Sequence, residues 1–537
     1  MMKKMMVLLL ASILMVGTLA GCQKDSKTEN TTQKENENEK GNKTSKETEK
    51  LEGHLVSKDP VELSIHLHLG NRISFKDSWE VFKKAEELTN VKLKGTASDS
   101  ISDSAQAFNT MLASGDLSDI LTYSLEDLSK YGMEGALIPL NDLIEEHAPN
   151  FNKYLQENPD VRKTITAADG NIYAIAFVPD GEAAAGYFMR TDWLEKLNLE
   201  VPKTVDDYYN VLKAFKERDP NGNNKADEIP FIDRGKGEIT IRLVTLFGGH
   251  TSFYLDGDTV KYGPSEEAYK IGMENISKWY AEGLIDPEAF TRGSKARNIL
   301  LGDNVGGATH DWFGSTSTFN DTLADKIQGF KFEPIAPPAD INGKVWESTI
   351  RNNVPNKIKG AWGISVSNPH PVETIKYFDF WWSEEGRRLM NFGIEGEQYD
   401  LVDGKPIFKE SLLNNDEPVI SLLEQIGAQI QIGFHQDFAY EEQWMNPVAK
   451  QGARMYIDGK YCEKAFPSLV FTNEEQDLLN EKLTAIDTLQ KEVTQKWILN
   501  AEDVNTGWDK YIKAMNNLGL KEVLEVYQNA YDRYMAQ

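Results

Sequence analysis

From Val61 onward the chain switches between two apolar spacings. Val61, Leu63, Ile65, Leu67 and Leu69 occupy every second position, and Trp79, Phe82, Ala85 and Leu88 then recur at every third. The first spacing predicts a strand and the second one face of a helix. A second strand is expected at Val91–Lys94, a helix at Ala105–Ala113 and a third strand at Asp119–Tyr123. A βαβαβ start of this kind restricts the fold to the α/β class with an open, largely parallel sheet. Ligands of such sheets meet the loops that follow the carboxyl ends of the strands. Here those loops hold Asn71, Arg72, Tyr123 and Ser124.

What precedes Val61 has a different character. Lys3 and Lys4 are followed by an apolar run from Val7 to Val16, too short to span a bilayer, which needs roughly 20 residues. The run ends in Leu19-Ala20-Gly21-Cys22, the order of elements of a cleavable leader with a lipobox. Residues 1–21 therefore read as a signal peptide, and Cys22 as the lipidated first residue of the mature protein on the outer face of a bacterial membrane. From Gln23 to Lys58 the composition is Lys, Glu, Asn, Thr and Ser with almost no apolar residue. A segment of that kind cannot bury enough surface to fold. As a flexible tether it reaches roughly 30 to 36 Å, enough for a folded body to stand off the membrane and still touch a membrane partner. The remaining length exceeds what one core supports, about 250 to 300 residues, so two lobes are expected. A net charge of −26 argues against nucleic acid or anionic lipid as partner. With Cys22 lipidated, Cys462 has no partner for a disulfide and reads as a small buried residue.

Several segments, in order, carry a family resemblance. They are Asn171 to Phe177, Gly186 to Thr204, Lys359 to Ser367, Tyr377 to Tyr399, and Trp508 to Tyr534. Together the chain resembles the family 1 extracellular solute-binding proteins, and its last helices those of the long lipoprotein subgroup with alginate-binding and complex-oligosaccharide receptors. The resemblance implies a two-lobed periplasmic-binding-protein-like fold of type II, with two α/β lobes joined by a hinge of three crossings. The first lobe is expected at 59–178 plus 350–415, and the second at 179–349 plus 416–537. It also implies a monomeric oligosaccharide receptor, not an enzyme, that delivers its ligand to an ABC permease.

The most specific internal motif is Asp219-Pro-Asn221-Gly-Asn223-Asn-Lys225-Ala-Asp227-Glu228. Oxygen side chains at loop positions one, three, five and nine, with a main-chain carbonyl at seven, follow the early part of an EF-hand, an oxygen set suited to Ca²⁺. The loop departs from an EF-hand at position six, which is Asn224 instead of Gly, and at position twelve, which is Pro230. Its next acid, Glu228, stands at position ten. Tyr208, Val211, Leu212 and Phe215 place a helix before the loop, and Ile229 to Ile232 a strand after it. The resemblance implies Asp219, Asn221, Asn223, Lys225 through its carbonyl, Asp227 and Glu228 as ligands of a structural Ca²⁺ at the outer end of the second lobe.

Saccharide recognition needs aromatic faces for the apolar side of a sugar ring and polar groups for its hydroxyls. By resemblance, Trp312 in the segment His310-Asp311-Trp312-Phe313 and the Glu441-x-x-Trp444 pair match ligand-contacting positions, and His310 and Asp311 are expected as ligand contacts beside Trp312. Trp346 is a weaker candidate. It and Trp362 read more readily as core, as does at least one of Trp381 and Trp382. Rival readings remain. A peptide receptor shares leader, tether and lobes. A metal receptor is hinted at by His66 and His68 on one strand face. A glycoside hydrolase needs two spaced carboxylates, which 84 acidic residues neither exclude nor identify.

Overall fold

The computed structural model describes residues 52–69, 73–98, 100, 102–181, 183–348, 360–415 and 417–536. Cys22, the leader, most of the tether, Asn71 and Arg72 lie outside the described residues. The first strand, β1 (Val61–His66), keeps Leu63 and Ile65 fully buried, and helix α1 (Glu80–Thr89) turns Val81, Phe82 and Ala85 onto it. The expected strand was longer. It breaks at Leu67, and His68–Leu69 pairs instead with Ile73–Ser74. β2 (Val91–Gly95), α2 (Ser104–Ser114) and β3 (Ile120–Ser124) follow where the periodicity places them, and α3 (Leu125–Met133) comes directly after β3. The chain then adds β4 (Ile175–Ala176) and β5 (Val178–Pro179), and enters a second sheet with β6 (Ala185–Arg190).

That second sheet is built from β6, β7 (Ile229–Phe231), β8 (Gly306–Trp312) and β9 (Phe332–Ile335). Its helices include α4 (Val205–Glu217), α5 (Ala296–Gly302) and α6 (Phe313–Leu323). α4 starts with a capping box in which Thr204 and Asp207 satisfy each other's backbone N–H groups. The chain returns to the first sheet as β10 (Gly360–Ile364). β11 (His435–Gln436), α7 (Phe438–Trp444) and α8 (Pro447–Asp458) lead back again, and α9 (Asn473–Ile498), α10 (Val504–Asn517) and α11 (Leu520–Ala536) close the fold on the second lobe.

The strand orders are β2-β1-β3-β10-β4 and β9-β6-β8-β7. Only β1, β2 and β3, and the pair β7 and β8, are parallel; β10 and β6 run antiparallel to their neighbours. The sheets are thus mixed, not largely parallel. The strands that break the pattern are those through which the chain enters a lobe from the other one, so they need no crossover helix and no parallel direction. Each sheet has its own apolar core. The first core also buries Val419, Leu423, Ala428, Ile430, Ile432, Phe434 and Tyr440. The third crossing therefore lies at β11 and α7, later in the chain than the expected 415/416. Ala428, Ile430, Ile432 and Phe434 are buried in an irregular, bent segment in which Gln429 and Gly433 take left-handed φ values of 57° and 46°.

β5 and β11, from the first and third crossings, pair side by side in parallel, with Val178 N–H donating to Phe434 O at 3.0 Å and Asp180 N–H to Gln436 O at 2.8 Å. α7 is tied to both lobes. Its Gln443 side chain holds Phe408 N–H and Pro406 O of a first-lobe hairpin, and Glu442 pairs with Arg454 of α8 at 2.7 Å. At the other end of the interface Asp160 of the first lobe accepts from Tyr534 Oη of α11 at 3.2 Å and pairs with Lys464. Trp362, Trp381 and Trp382 are all buried, whereas Cys462 is half-buried at the edge of an apolar cluster that contains Phe188, Phe313 and Tyr456.

Candidate functional site

The two parallel strands β7 and β8 end at the same edge of the second sheet, the edge from which β6 departs after the first crossing. Their register pairs Gly306 with Ile229 and Ala308 with Phe231; continued for three more residues it sets Arg234 abreast of Asp311. Trp312 is the last residue of β8 and the N-cap of α6, and 42% of its surface is exposed. An indole left this open at a strand end, over a sheet whose other β8 side chains are buried, is available as a flat apolar face.

The residues behind it fix the edge in place. Asp311 is buried, accepts Trp312 N–H at 2.7 Å, and pairs with Arg234 Nε at 2.8 Å and Arg297 at 3.0 Å. His310 points to the opposite face, where its Nε2 lies 2.8 Å from Glu347 Oε2 and its ring meets the Tyr187 ring edge-on at 4.8 Å. His310 and Asp311, expected among the ligand contacts, are therefore buried supports beneath the edge, and the groups open to solvent are Trp312 and, in part, Arg234. Periodicity gave no sign of Arg234, Arg297 or Glu347, because their partnership depends on a register between distant strands.

The other predicted residues are spread more widely. Tyr123, the last but one residue of β3, is half-buried with its ring stacked on Phe108 at 4.4 Å, and burial raises its hydroxyl pKa. Ser124 caps α3 by accepting Asp127 N–H. Glu441 and Trp444 sit on α7, and the Trp444 ring packs partly against the first core with its Nε1 lacking a hydrogen-bond partner among the described residues. Trp346 is buried, donates to Asp340 Oδ2 at 3.2 Å and lies 5.0 Å from the His250 ring, which stacks on Tyr254 at 3.9 Å. His250 and Tyr254 line a groove of about 800 Å³, closed on the first-lobe side by Asp160 and Lys163. The sequence pattern did not single out this stack.

His66 and His68 are both buried, one beside Phe108 and the other 2.7 Å from Ser104 Oγ. Burial, followed by the charge of His68, lowers the pKa of His66 to about 4. Among the described residues no third metal-ligating side chain joins them, and the His/Asp group with ligand spacing is Asp180, His435 and Asp437 at the hinge, where Arg387 already pairs with Asp437.

The acidic loop after α4 is organised by its own side chains. Asp219 accepts Asn223 N–H at 3.1 Å and Asn224 N–H at 2.9 Å, Asn223 Oδ1 accepts Lys225 N–H at 2.8 Å, and Asp227 accepts the side-chain amides of Asn221 and Asn223. Asn224, at the position where an EF-hand has Gly, takes a left-handed φ of 60°, a conformation that Asn adopts more readily than most residues. Glu228 is 0% exposed, and neither of its carboxylate oxygens has a hydrogen-bond partner among the described residues. Burial raises the pKa of its carboxyl group and the charges of Asp227 and Asp219 add to it, against the opposing pull of the nearby Glu228 and Asn221 backbone N–H groups, which lie outside hydrogen-bond geometry. Such a carboxylate is costly unless a cation completes it. The nearby lysines do not serve: Lys216 donates to the Glu228 carbonyl and Lys196 to the Pro220 carbonyl. The donor set, all oxygen and rich in carboxylate, fits a hard divalent cation such as Ca²⁺.

A family model described as bacterial extracellular solute-binding protein matches residues 72–388. The chain belongs to that family. Among its relatives, the fructooligosaccharide ABC transporter substrate-binding protein FusA of Streptococcus pneumoniae is 28% identical over 485 residues, covering 85% of this chain and 87% of FusA. The polygalacturonan/rhamnogalacturonan-binding protein YtcQ of Bacillus subtilis is 25% identical, covering 84% of this chain and 87% of its own. A crystal structure of the alginate-binding protein AlgQ2 without calcium ion superposes with a TM-score of 0.72 at 43% identity, over 89% of this chain and 99% of that one. Like its solved relatives, this solute-binding protein has two lobes. No described helix is long and apolar enough to cross a membrane.

Proposed function

We propose that this solute-binding protein captures an oligosaccharide between its lobes and presents it to the permease of an ABC importer. The observation that carries the reading is the exposed Trp312 at the carboxyl end of β8, on a buried polar support, in a chain similar along most of its length to saccharide-binding proteins. Trp444 and Glu441, on the helix that bridges the lobes, and Tyr123 and Ser124 on the first lobe are the opposing contacts, together with Asn71 and Arg72. A ligand touched by both lobes only when they are closed shifts the open–closed equilibrium by its differential affinity, and the closed form is the one the permease recognises. Lobe boundaries at 178/179, near 349/350 and at His435 follow from the same reading. In a thermal-shift screen, oligosaccharides are expected to raise the melting temperature and short peptides to leave it unchanged; stabilisation by peptides alone would remove the saccharide reading.

The acidic loop holds a structural Ca²⁺ through Asp219, Asn221, Asn223, the Lys225 carbonyl, Asp227 and Glu228, a reading supported by the partnerless Glu228 carboxylate and by the existence of a calcium-free AlgQ2 form. Cys22 carries the lipid that anchors the protein to the outer face of the membrane, a reading supported by the order of Leu19-Ala20-Gly21-Cys22 after the apolar run. Replacing Cys22 with Ala is expected to move the protein from the detergent phase to the aqueous phase in a partition assay. Retention in detergent would place the anchor elsewhere.

A further inference from the structure

The 11-residue helix α6 begins at the same edge as Trp312, without a side-chain cap. The backbone N–H groups of Gly314 and Ser315 in its first turn have no acceptor among the described residues. Both residues are exposed, and the space where a Gly314 side chain would stand is open. Free N–H groups and the positive end of the helix dipole favour a negative charge there. Two arginines add to this. Arg297 of α5, its side chain only 8% exposed, donates to Thr316 Oγ1 in that first turn at 2.6 Å and keeps a buried Nε without a partner. Arg234, 30% exposed, spends only its Nε, on Asp311, and its two terminal nitrogens have no partner among the described residues. Asp311 is the one carboxylate that both guanidinium groups share. Asp233, next in the chain, is turned away to Gly235 N–H and Thr240. Two cations and a helix N-terminus thus face one anion, in a chain whose net charge is −26.

We infer that this edge is an anion subsite, and that the saccharide bound at Trp312 carries a singly charged oxyanion: the carboxylate of a uronate or the sulfate of a sulfated sugar. The free edge of Arg234 and the Gly314 and Ser315 N–H groups receive it, in the charge-assisted geometry that arginine provides for planar oxyanions. The inference rests on the reading of Trp312 as a saccharide platform and adds the charge class of the ligand. Both neutral and acidic glycans appear in the names of the similar proteins, so sequence likeness does not decide between them.

The test is calorimetric titration of the full chain, in detergent, with oligogalacturonides and oligoalginates, their methyl esters, a sulfated neutral oligosaccharide and a fructooligosaccharide. An acidic ligand is expected to bind at least about tenfold more tightly than its uncharged counterpart, with a ratio that falls as salt is added. That ratio should collapse in Arg234→Gln and in Gly314→Asp. Aspartate in a first helical turn favours the helix, so the second variant loses the preference without losing the fold, as a parallel melt would record. The uronide and sulfate arms identify which oxyanion is taken. If the methyl ester or the fructooligosaccharide binds as tightly as the acids, or if Arg234→Gln keeps the ratio, the anion subsite is wrong while the saccharide reading stands. If no saccharide of any class binds, both fall.

Discussion

Chelation of calcium is expected to lower the melting temperature of the second lobe by about 5 to 10 °C. An ion present at 100 times its dissociation constant adds about 2.7 kcal/mol to stability, and a lobe of about 150 to 250 residues shifts by about 2 to 4 °C per kcal/mol. The effect is traceable to one group. Without the ion, Glu228 is a buried carboxylate with no partner of its own, beside Asp219 and Asp227. Glu228→Gln keeps the shape and removes the charge, so in chelator this variant should melt at or above the wild type, and added calcium should move it much less. Asp219→Ala should lose the calcium response as well, together with the turn that Asn223 and Asn224 make on its carboxylate. Calorimetric scans in chelator and in calcium measure all three proteins. An identical calcium response in the wild type and Asp219→Ala would dismiss the loop as the metal site.

Trp312→Ala is expected to weaken ligand binding by about 30-fold or more while leaving the melting temperature nearly unchanged. Truncating a central aromatic anchor commonly costs at least about 2 kcal/mol of binding, but a ring that is already largely exposed leaves little cavity behind. Trp362 provides the contrast. It is 0% exposed and stacks on Phe378 at 4.2 Å, so Trp362→Ala should cost about 3 to 5 kcal/mol of stability. Trp444 lies between the two, since its ring packs against the first core from the helix that joins the lobes. Its truncation should lower both stability and affinity. Titration and denaturation of the three variants give an order that a uniform core role for these tryptophans cannot produce: a large melting loss in Trp312→Ala with unchanged affinity in the folded fraction would return it to the core.

What could be read from the sequence was whatever depends on neighbours along the chain. The apolar spacings placed β1, α1, α2 and β3 to within a few residues, because burial on one face dictates them locally. The oxygen spacing from Asp219 to Glu228 located the loop for the same reason, although only the structure shows that Asn224 is left-handed and that Glu228 is buried without a partner. What could not be read depends on registers between distant segments. Arg234 and Asp311 meet because β7 and β8 lie side by side, and His310 meets Glu347 across the connection that leaves the second lobe. The third crossing was placed too early because Ala428 to Phe434 is a short alternating run amid Gly and Gln, with weak strand propensity of its own, and it is buried by the first lobe around it.

The pairing of β5 with β11 carries a consequence for motion. Two connections hydrogen-bonded along their length cannot slide past each other without breaking the Val178–Phe434 and Asp180–Gln436 bonds, but they can twist together. The first and third crossings are therefore coupled as one torsion strap, which favours rotation of the lobes over shear between them. Rotation about such a strap changes the width of the mouth between the lobes more than it displaces their facing surfaces sideways.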